Sequence, residues 1–411
     1  MHKFKITLFV FILITICFYF VNFSFAFNQY IWSNYDLTST TSSSINNTAD
    51  ENNNSLSLES ESAILIEQKT GQILYSHNMH NQLRPASVTK VMSLLLIMEE
   101  IDSGKLSLSD QIPCSQNASS MGGSQIWLDP KETLSVSDML KAICVVSAND
   151  CVVAMAEYIA GSEEAFVEMM NEKAKELGMN DTCFKNCHGI DEDGHVTSSY
   201  DISLMSMELL NNHPQITEYT TIWMDSLRDG KSELVNTNKL VRNYKGATGL
   251  KTGSTSLALF NLSASATRDD LSLIAVVMKA PSSSVRFSEA EKLLNYGFSN
   301  FSFKQFAKKG DTLKKVNVQK GVTPQVTAVF EEDCGVLIKK GQDKNISQEV
   351  ILNDNISAPI YKDQILGEVK FYLNDEQIST CNIIASENID KLNIFTMCKQ
   401  IYSSWFTLLR T

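Results

Sequence analysis

Three short clusters in this 411-residue sequence could do chemistry together. The first is Ser87-Val-Thr-Lys90, the only S-x-x-K in the chain. On a helix, positions i and i+3 share a face at about 5–6 Å between Cβ atoms, so an amine can meet a hydroxyl there. A neutral amine could take the hydroxyl proton and leave a nucleophilic serine. An ordinary lysine, with a pKa of about 10.4, is charged at neutral pH, so the role demands burial or a neighbouring cation. Ser147-Ala-Asn149 follows in a helical segment, and Lys251-Thr252-Gly253 follows that at the start of a strand. An isolated S-x-x-K is more often a solvated pair on an exposed face. The order and company of the three clusters set this one apart.

Other chemistries find weaker support. The six histidines (2, 77, 80, 188, 195, 213) show no metal-ligand spacing such as H-E-x-x-H. Cys183-Phe-Lys-Asn-Cys187-His188 is one residue too long for a C-x-x-C-H haem site, which leaves buried or paired cysteines. No metal and no cofactor is expected. Lys69-Thr70-Gly71 repeats the third cluster, but it precedes Ser87 and sits at a hairpin turn, so it receives no catalytic role. Glu291-Lys-Leu-Leu-Asn295 falls after Lys251, and its leucine pair reads as core.

The elements that must position these residues can be followed along the chain. SAILIEQ and QILYSHN flank Lys69-Thr70-Gly71 as a hairpin. After Pro85, ASVTKVMSLLLIMEEI predicts a helix with a proline near its first turn and a broad apolar face. A mostly helical stretch includes SVSDMLKAICVVSANDCVVAMAEYIA, read as one segment, and SEEAFVEMMNEKAKELG. From about Glu233 the texture turns to strands, LFNLSASATR and LSLIAVVMKA, and VRFSEAEKLLNYGFSNF closes the region as a helix. Residues 302–385 hold short, evenly spaced, partly alternating runs that predict a small all-β module.

Both ends carry further signals. Lys3 and Lys5 precede an uncharged apolar run from Ile6 to Val21, and Ser24-Phe25-Ala26 offers small residues for cleavage after Ala26. Residues 1–26 read as a signal peptide, the alternative being an uncleaved anchor; either way the chain is exported. Residues 27–60 form a Ser/Thr/Asn-rich linker. At residues 386–411, Leu392, Phe395, Cys398, Tyr402, Trp405 and Leu409 recur at helical spacing. That stripe is too broken by polar residues to span a bilayer easily, and suits a helix lying in the interface.

Composition bounds the rest. Hydrophobic residues make up 43% and the formal net charge is −12, which allows a sizeable core and disfavours nucleic acid as a partner. Nine cysteines, eight once Cys17 leaves with the signal, are too few for a disulfide framework. Cys144 and Cys151, read as one helix, stand too far apart to bridge, whereas Cys183 and Cys187 could approach each other in a turn.

The ordered S-x-x-K, S-x-N and K-T-G set is a signature of penicillin-binding proteins and class A β-lactamases. With PASVTK, TLSVSDMLKAICVVSAND, TGLKTGSTS and the Arg286-to-Phe301 helix, residues 60–411 resemble the low-molecular-weight penicillin-binding proteins that are serine-type D-alanyl-D-alanine carboxypeptidases. Lys131, where a glycine is usual, and Cys183 and Cys187 depart from the pattern. The resemblance implies an α/β catalytic domain at 61–301, an antiparallel sheet with helices plus an all-helical lobe. A small β domain at 302–385 and the terminal amphipathic helix would follow it.

It also implies roles: Ser87 as nucleophile, Lys90 as base, Ser147 as proton relay to the leaving amine, and Asn149 holding Lys90 and the substrate. Lys251 and Thr252 would bind the substrate's terminal carboxylate, and Gly253 would let the strand approach closely. The N–H groups of Ser87 and Ser254 would form the oxyanion hole. Arg286 would be either a second carboxylate contact or an ordinary surface arginine. The substrate would be the peptidoglycan stem peptide, β-lactams would be covalent inhibitors, and the protein would lie on the outer face of the cytoplasmic membrane as a peripheral enzyme. A β-lactamase of the same fold would need its E-x-x-L-N glutamate between Asn149 and Lys251, where none occurs; a non-catalytic penicillin-binding sensor is the rival outside enzymology. The β module is either a spacer or a docking surface.

Overall fold

The computed structural model describes residues 56–342 and 345–398. The expected signal segment, most of the linker and the end of the terminal helix lie outside them. In chain order, β1 (Ser62–Glu67) and β2 (Ile73–His77) form the expected hairpin. A 3-10 turn (Ala86–Thr89) runs into α1 (Lys90–Asp102), followed by α2 (Val136–Val145), α3 (Asn149–Ala160), α4 (Glu163–Glu176) and α5 (Ser199–Asn212). Then come β3 (Ala247–Thr255), β4 (Leu259–Arg268), β5 (Leu271–Ala280) and α6 (Ser283–Asn300).

The five strands form one antiparallel sheet in the order β2-β1-β5-β4-β3. Strand side chains alternate between faces. Ile64, Ile66, Ile274, Val276 and Met278 therefore pack against the helical lobe, while Ala63, Leu65, Leu273, Ala275 and Val277 pack on the α6 side. Burial of both faces explains why β1 and β5 read as unbroken apolar runs. Helix α1 passes through the middle of the lobe and is buried on every side from Lys90 to Met98, so its apolar character is wider than one face.

Two helices differ from expectation, both at chemistry-bearing residues. The segment from Ala86 starts as a 3-10 turn, and the α-helix begins only at Lys90. The stretch through Ser147 is two helices rather than one. The Ala148 N–H returns to the Ala142 carbonyl and Ser147 sits at φ +66°, the left-handed geometry that ends a helix. The Asn149 N–H then bonds the Ser124 carbonyl at 2.7 Å, drawing the chain onto a neighbouring loop before α3 starts.

The β module follows α6 directly. Strands β6 (Phe301–Ala307), β7 (Thr312–Asn317), β8 (Gln325–Phe330), β9 (Cys334–Lys339), β10 (Ile346–Leu352), β11 (Ile365–Leu373) and β12 (Glu376–Ala385) make a β6-β9 pair and a sheet ordered β7-β8-β12-β11-β10. A disulfide between Cys334 and Cys381 joins the two sheets. Cys183 and Cys187 are free thiols instead: Cys183 is bridged to Val196, and the Cys187 N–H is held by the Glu163 carboxylate. The terminal helix also starts later than its periodicity suggests. Ile389 is buried in the β module and bridged to Ile360, Lys391 is bridged to Gly321, and helix begins at residue 394, with Ile394 and Phe395 exposed. Among the described residues no helix is long and apolar enough to cross a membrane.

A disulfide closing a loop of this length stabilises by about 2–4 kcal/mol. Cys334→Ala with Cys381→Ala should therefore speed amide exchange in β12 by about 30-fold or more and leave β4 unchanged. Equal exchange in β12 would show that the bond contributes nothing to the module.

Candidate active site

The 3-10 turn carries the nucleophile candidate. Positions i and i+3 eclipse in a 3-10 helix, and Lys90 Nζ lies 3.1 Å from Ser87 Oγ, within hydrogen-bond reach. From Pro85 to Lys90 only Ser87 is more than marginally exposed. Lys90 itself is fully buried. Its amine donates to Asn149 Oδ1 at 2.6 Å and to the His188 carbonyl at 2.7 Å, two neutral acceptors that use both protons of a neutral amine and leave its lone pair for the Ser87 hydroxyl. Burial holds this lysine well below its ordinary pKa, the nearby Lys251 pushes it the same way, and Cys187 and Asp150 oppose. The amine can therefore act as a base toward Ser87.

Asn149 heads α3 and is fixed at both ends of its amide, for Nδ2 donates to the Gly122 carbonyl at 2.7 Å. Ser147 is buried in the turn before it, and its Oγ has no hydrogen-bond partner among the described residues. It is free to accept or pass a proton, and it makes no hydrogen bond to Lys90.

Strand β3 forms the opposite wall. Lys251 is buried, and its amine donates to the Thr252 carbonyl at 2.9 Å. Burial lowers its pKa to about 7, with Arg286 contributing and Cys144 opposing. Thr252 Oγ1 donates to Thr237 Oγ1 at 2.8 Å, and Ser254 is exposed at the rim. A Cβ on Gly253 would fall 2.8 Å from the Pro85 carbonyl oxygen and 2.9 Å from the Ser87 and Val88 nitrogens. Glycine is needed here because two backbones meet.

Arg286 is not a surface residue. It is 7% exposed; Nη1 donates to the Gly253 and Asn261 carbonyls at 3.1 and 3.2 Å, and the guanidinium lies over Phe260 and Phe287. Burial lowers its pKa only to about 10, so it stays charged behind the strand. The other sequence features fall elsewhere. Lys69 and Thr70 donate their N–H groups to the Glu67 carboxylate in the hairpin turn, and Leu293 and Leu294 are core. Lys131 adopts φ +72°, the reason a glycine suits that position. Among the described residues no cluster could hold a metal ion.

Sequence reasoning missed the contribution of the loop around His188. His188 supplies a backbone carbonyl, not its ring. The neighbouring Gly189, at φ +93°, brings its Cα against the Ala86 carbonyl, where a Cβ would come within 1.9 Å. The only signal was the Cys-His-Gly triplet, legible as a close approach of backbone only once its partner is known.

An antiparallel sheet edge facing a serine on a helical turn, with a buried lysine within hydrogen-bond reach, defines a serine acyl-transfer enzyme that uses a lysine base. The chain belongs to the D-alanyl-D-alanine carboxypeptidase family, which it matches over residues 46–282, and residues 301–391 match the penicillin-binding protein 5 C-terminal domain. It is 43% identical over 354 residues to D-alanyl-D-alanine carboxypeptidase DacF of Bacillus subtilis, covering 85% of this chain and 91% of that one. Among solved structures it resembles penicillin binding protein 5 from Haemophilus influenzae (TM-score 0.71, 28% identity, 82% of this chain and 99% of that one). It also resembles the ampicillin-bound form of penicillin-binding protein D2 from Listeria monocytogenes (TM-score 0.55, 30% identity, 59% and 99%).

Gly253→Ala should push β3 off the 3-10 turn. A displacement of about 1 Å lowers a positioned reaction about 100-fold, so we expect a loss of that order in the reactivity of Ser87, measured as labelling by a penicillin. Labelling at the native rate would show that the close approach is incidental.

Proposed function

We infer that this chain is a serine D-alanyl-D-alanine carboxypeptidase that removes the terminal D-alanine of peptidoglycan pentapeptides through an acyl-enzyme, and that β-lactams acylate the same serine. The observation that carries the reading is the uncharged cage around Lys90, whose amine stands 3.1 Å from Ser87 Oγ. Ser87 attacks the carbonyl carbon of the D-Ala-D-Ala amide as Lys90 takes its proton. The oxyanion forms between the N–H groups of Ser87 and Ser254, each such donor being worth about 100–1,000-fold. The amide C–N bond then breaks as the proton that Lys90 took reaches the leaving amine through Ser147, and water, giving a proton to the freed Lys90, later hydrolyses the ester. Lys251 and Thr252 take the terminal carboxylate. Arg286, through the Gly253 carbonyl, holds the strand that presents them.

Incubating the protein with a D-Ala-D-Ala peptide and, separately, with labelled penicillin tests the assignment. Release of D-alanine, a long-lived adduct on Ser87, and loss of both in Ser87→Ala support it. Rapid penicillin turnover without D-alanine release would make the chain a β-lactamase, and an adduct without peptide turnover would make it a sensor.

The two lysines set opposite limbs of the pH profile. Lys90 must be neutral, so turnover rises with pH through its lowered pKa. Lys251 must be charged to hold a carboxylate, so in the free enzyme kcat/KM falls as pH climbs past about 7. A bound carboxylate restores charge to Lys251, so the alkaline limb of kcat should lie above that of kcat/KM. Coincident limbs would remove Lys251 from carboxylate binding.

We place the enzyme outside the cell, on the outer face of the cytoplasmic membrane, held by the terminal helix. The leading signal pattern, the exposed Ile394 and Phe395, and the interfacial stripe to which Phe395 belongs support this. Because Ile389 belongs to the β module, truncation should begin after residue 392. Removing residues 393–411 should release the signal-cleaved protein from membranes and leave hydrolysis of a soluble peptide within about twofold of the intact protein. Retention on the membrane would assign anchoring to the N-terminal segment.

A further inference from the structure

The Ser87 N–H belongs to the same planar peptide unit as the Ala86 carbonyl, and in a trans peptide the two point in opposite directions. Whatever holds that carbonyl therefore sets where the N–H points. Ala86 sits at φ +49°, a strained conformation for an alanine that needs support from its surroundings. One support is steric, the bare Cα of Gly189 against the carbonyl. The other is a chain of hydrogen bonds that the catalytic reading leaves unused.

Thr89 Oγ1 donates to the Ala86 carbonyl at 2.8 Å and lies 2.8 Å from His195 Nε2. The Lys185 N–H donates to His195 Nδ1 at 3.0 Å. A ring nitrogen that accepts carries no proton, so the neutral imidazole has its proton on Nε2. The single hydroxyl proton of Thr89 is directed at Ala86, so its oxygen accepts from His195. Donation runs one way, from the Lys185 N–H through His195 and Thr89 to the Ala86 carbonyl. His195 is 1% exposed and stacked edge-on to Phe184. Burial lowers its pKa to about 4, with Asp191 opposing and Arg84 and Lys185 contributing. The segment bearing it is tied to the nucleophile turn by the Leu83–Thr197 bridge and by Arg84, which reaches the Glu192 carbonyl and the Asp193 carboxylate.

We propose that His195, acting through Thr89, is a positioning residue that fixes the tilt of the Ala86–Ser87 peptide and so aims the Ser87 N–H at the developing oxyanion. The inference rests on Ser87 being the acylated nucleophile with its own N–H in the oxyanion hole. It assigns work to the threonine within Ser87-Val-Thr-Lys90 and to a histidine whose ring bonds Thr89 and the Lys185 N–H rather than the Lys90 amine.

The test resolves acylation by a labelled penicillin into a dissociation constant for the non-covalent complex and a rate constant for the covalent step. Thr89→Val keeps the shape and loses the hydroxyl; it should lower the rate constant about 10–100-fold, as expected for a misaimed group, with the dissociation constant within about threefold. Thr89→Ser should restore the rate to within about threefold of the unaltered protein. His195→Phe should match Thr89→Val, and the double variant should be no slower than Thr89→Val alone, because both break one chain. His195→Gln, which can still donate to Thr89, should recover most of the loss. In 15N spectra the His195 ring should keep its proton on Nε2 from about pH 5 upward, whereas a free histidine titrates at about 6.5. A folded Thr89→Val with an unchanged rate constant, additive losses in the double variant, or an Nδ1 proton on His195 would each overturn the proposal. Absence of labelling at Ser87 in the unaltered protein would overturn the catalytic reading, and this inference with it.

Discussion

A lysine amine buried among neutral acceptors is the constraint around which this fold is arranged. Lys90 opens the central helix and reaches three neutral partners from three parts of the chain: the Ser87 hydroxyl, the Asn149 side chain and the His188 carbonyl. None carries charge, so protonating the amine in place is unfavourable, and Lys251 adds repulsion. Both lysines have lower pKa values in the folded protein than in the unfolded chain. The unfolded chain then binds more protons below the ordinary lysine range, and their contribution to stability falls as pH drops from that range toward the lowered values. The site is an expense to the fold that the large apolar core offsets.

Keeping that amine dry and aimed explains the local irregularities. A regular helix through Ser87 would point its hydroxyl elsewhere, so the chain winds first as a 3-10 turn behind a left-handed Ala86. A continuous helix through Ser147 would leave Asn149 facing its own partners, so the helix breaks and the Asn149 N–H bonds a loop. Two glycines, Gly189 and Gly253, then let a loop and a strand close on the turn from either side. The apolar layers on both faces of the sheet make these strained pieces tolerable.

The sequence made much of this legible. Three spaced clusters pointed to the three walls of the site, and the apolar periodicity marked both β1 and the long helices. It did not show the two helix breaks, because they depend on backbone bonds to distant loops rather than on local propensity. Cys334 and Cys381 were opaque for a similar reason: pairing is set by strand register within the β module. Arg286 could be judged only after the chain folded, since a guanidinium behind a strand and one on a surface have the same local sequence. The terminal helix was misjudged at its start because Ile389 has helical spacing with the apolar residues after it yet packs as a strand residue.

The most direct test is the protonation state of Lys90 itself. In protein labelled with 13C and 15N at lysine, the Lys90 resonances can be assigned by their loss in Lys90→Gln and followed with pH. The amine is expected to titrate well below the ordinary lysine value of about 10.4. A Lys90 amine that remains charged up to that ordinary value would contradict this expectation.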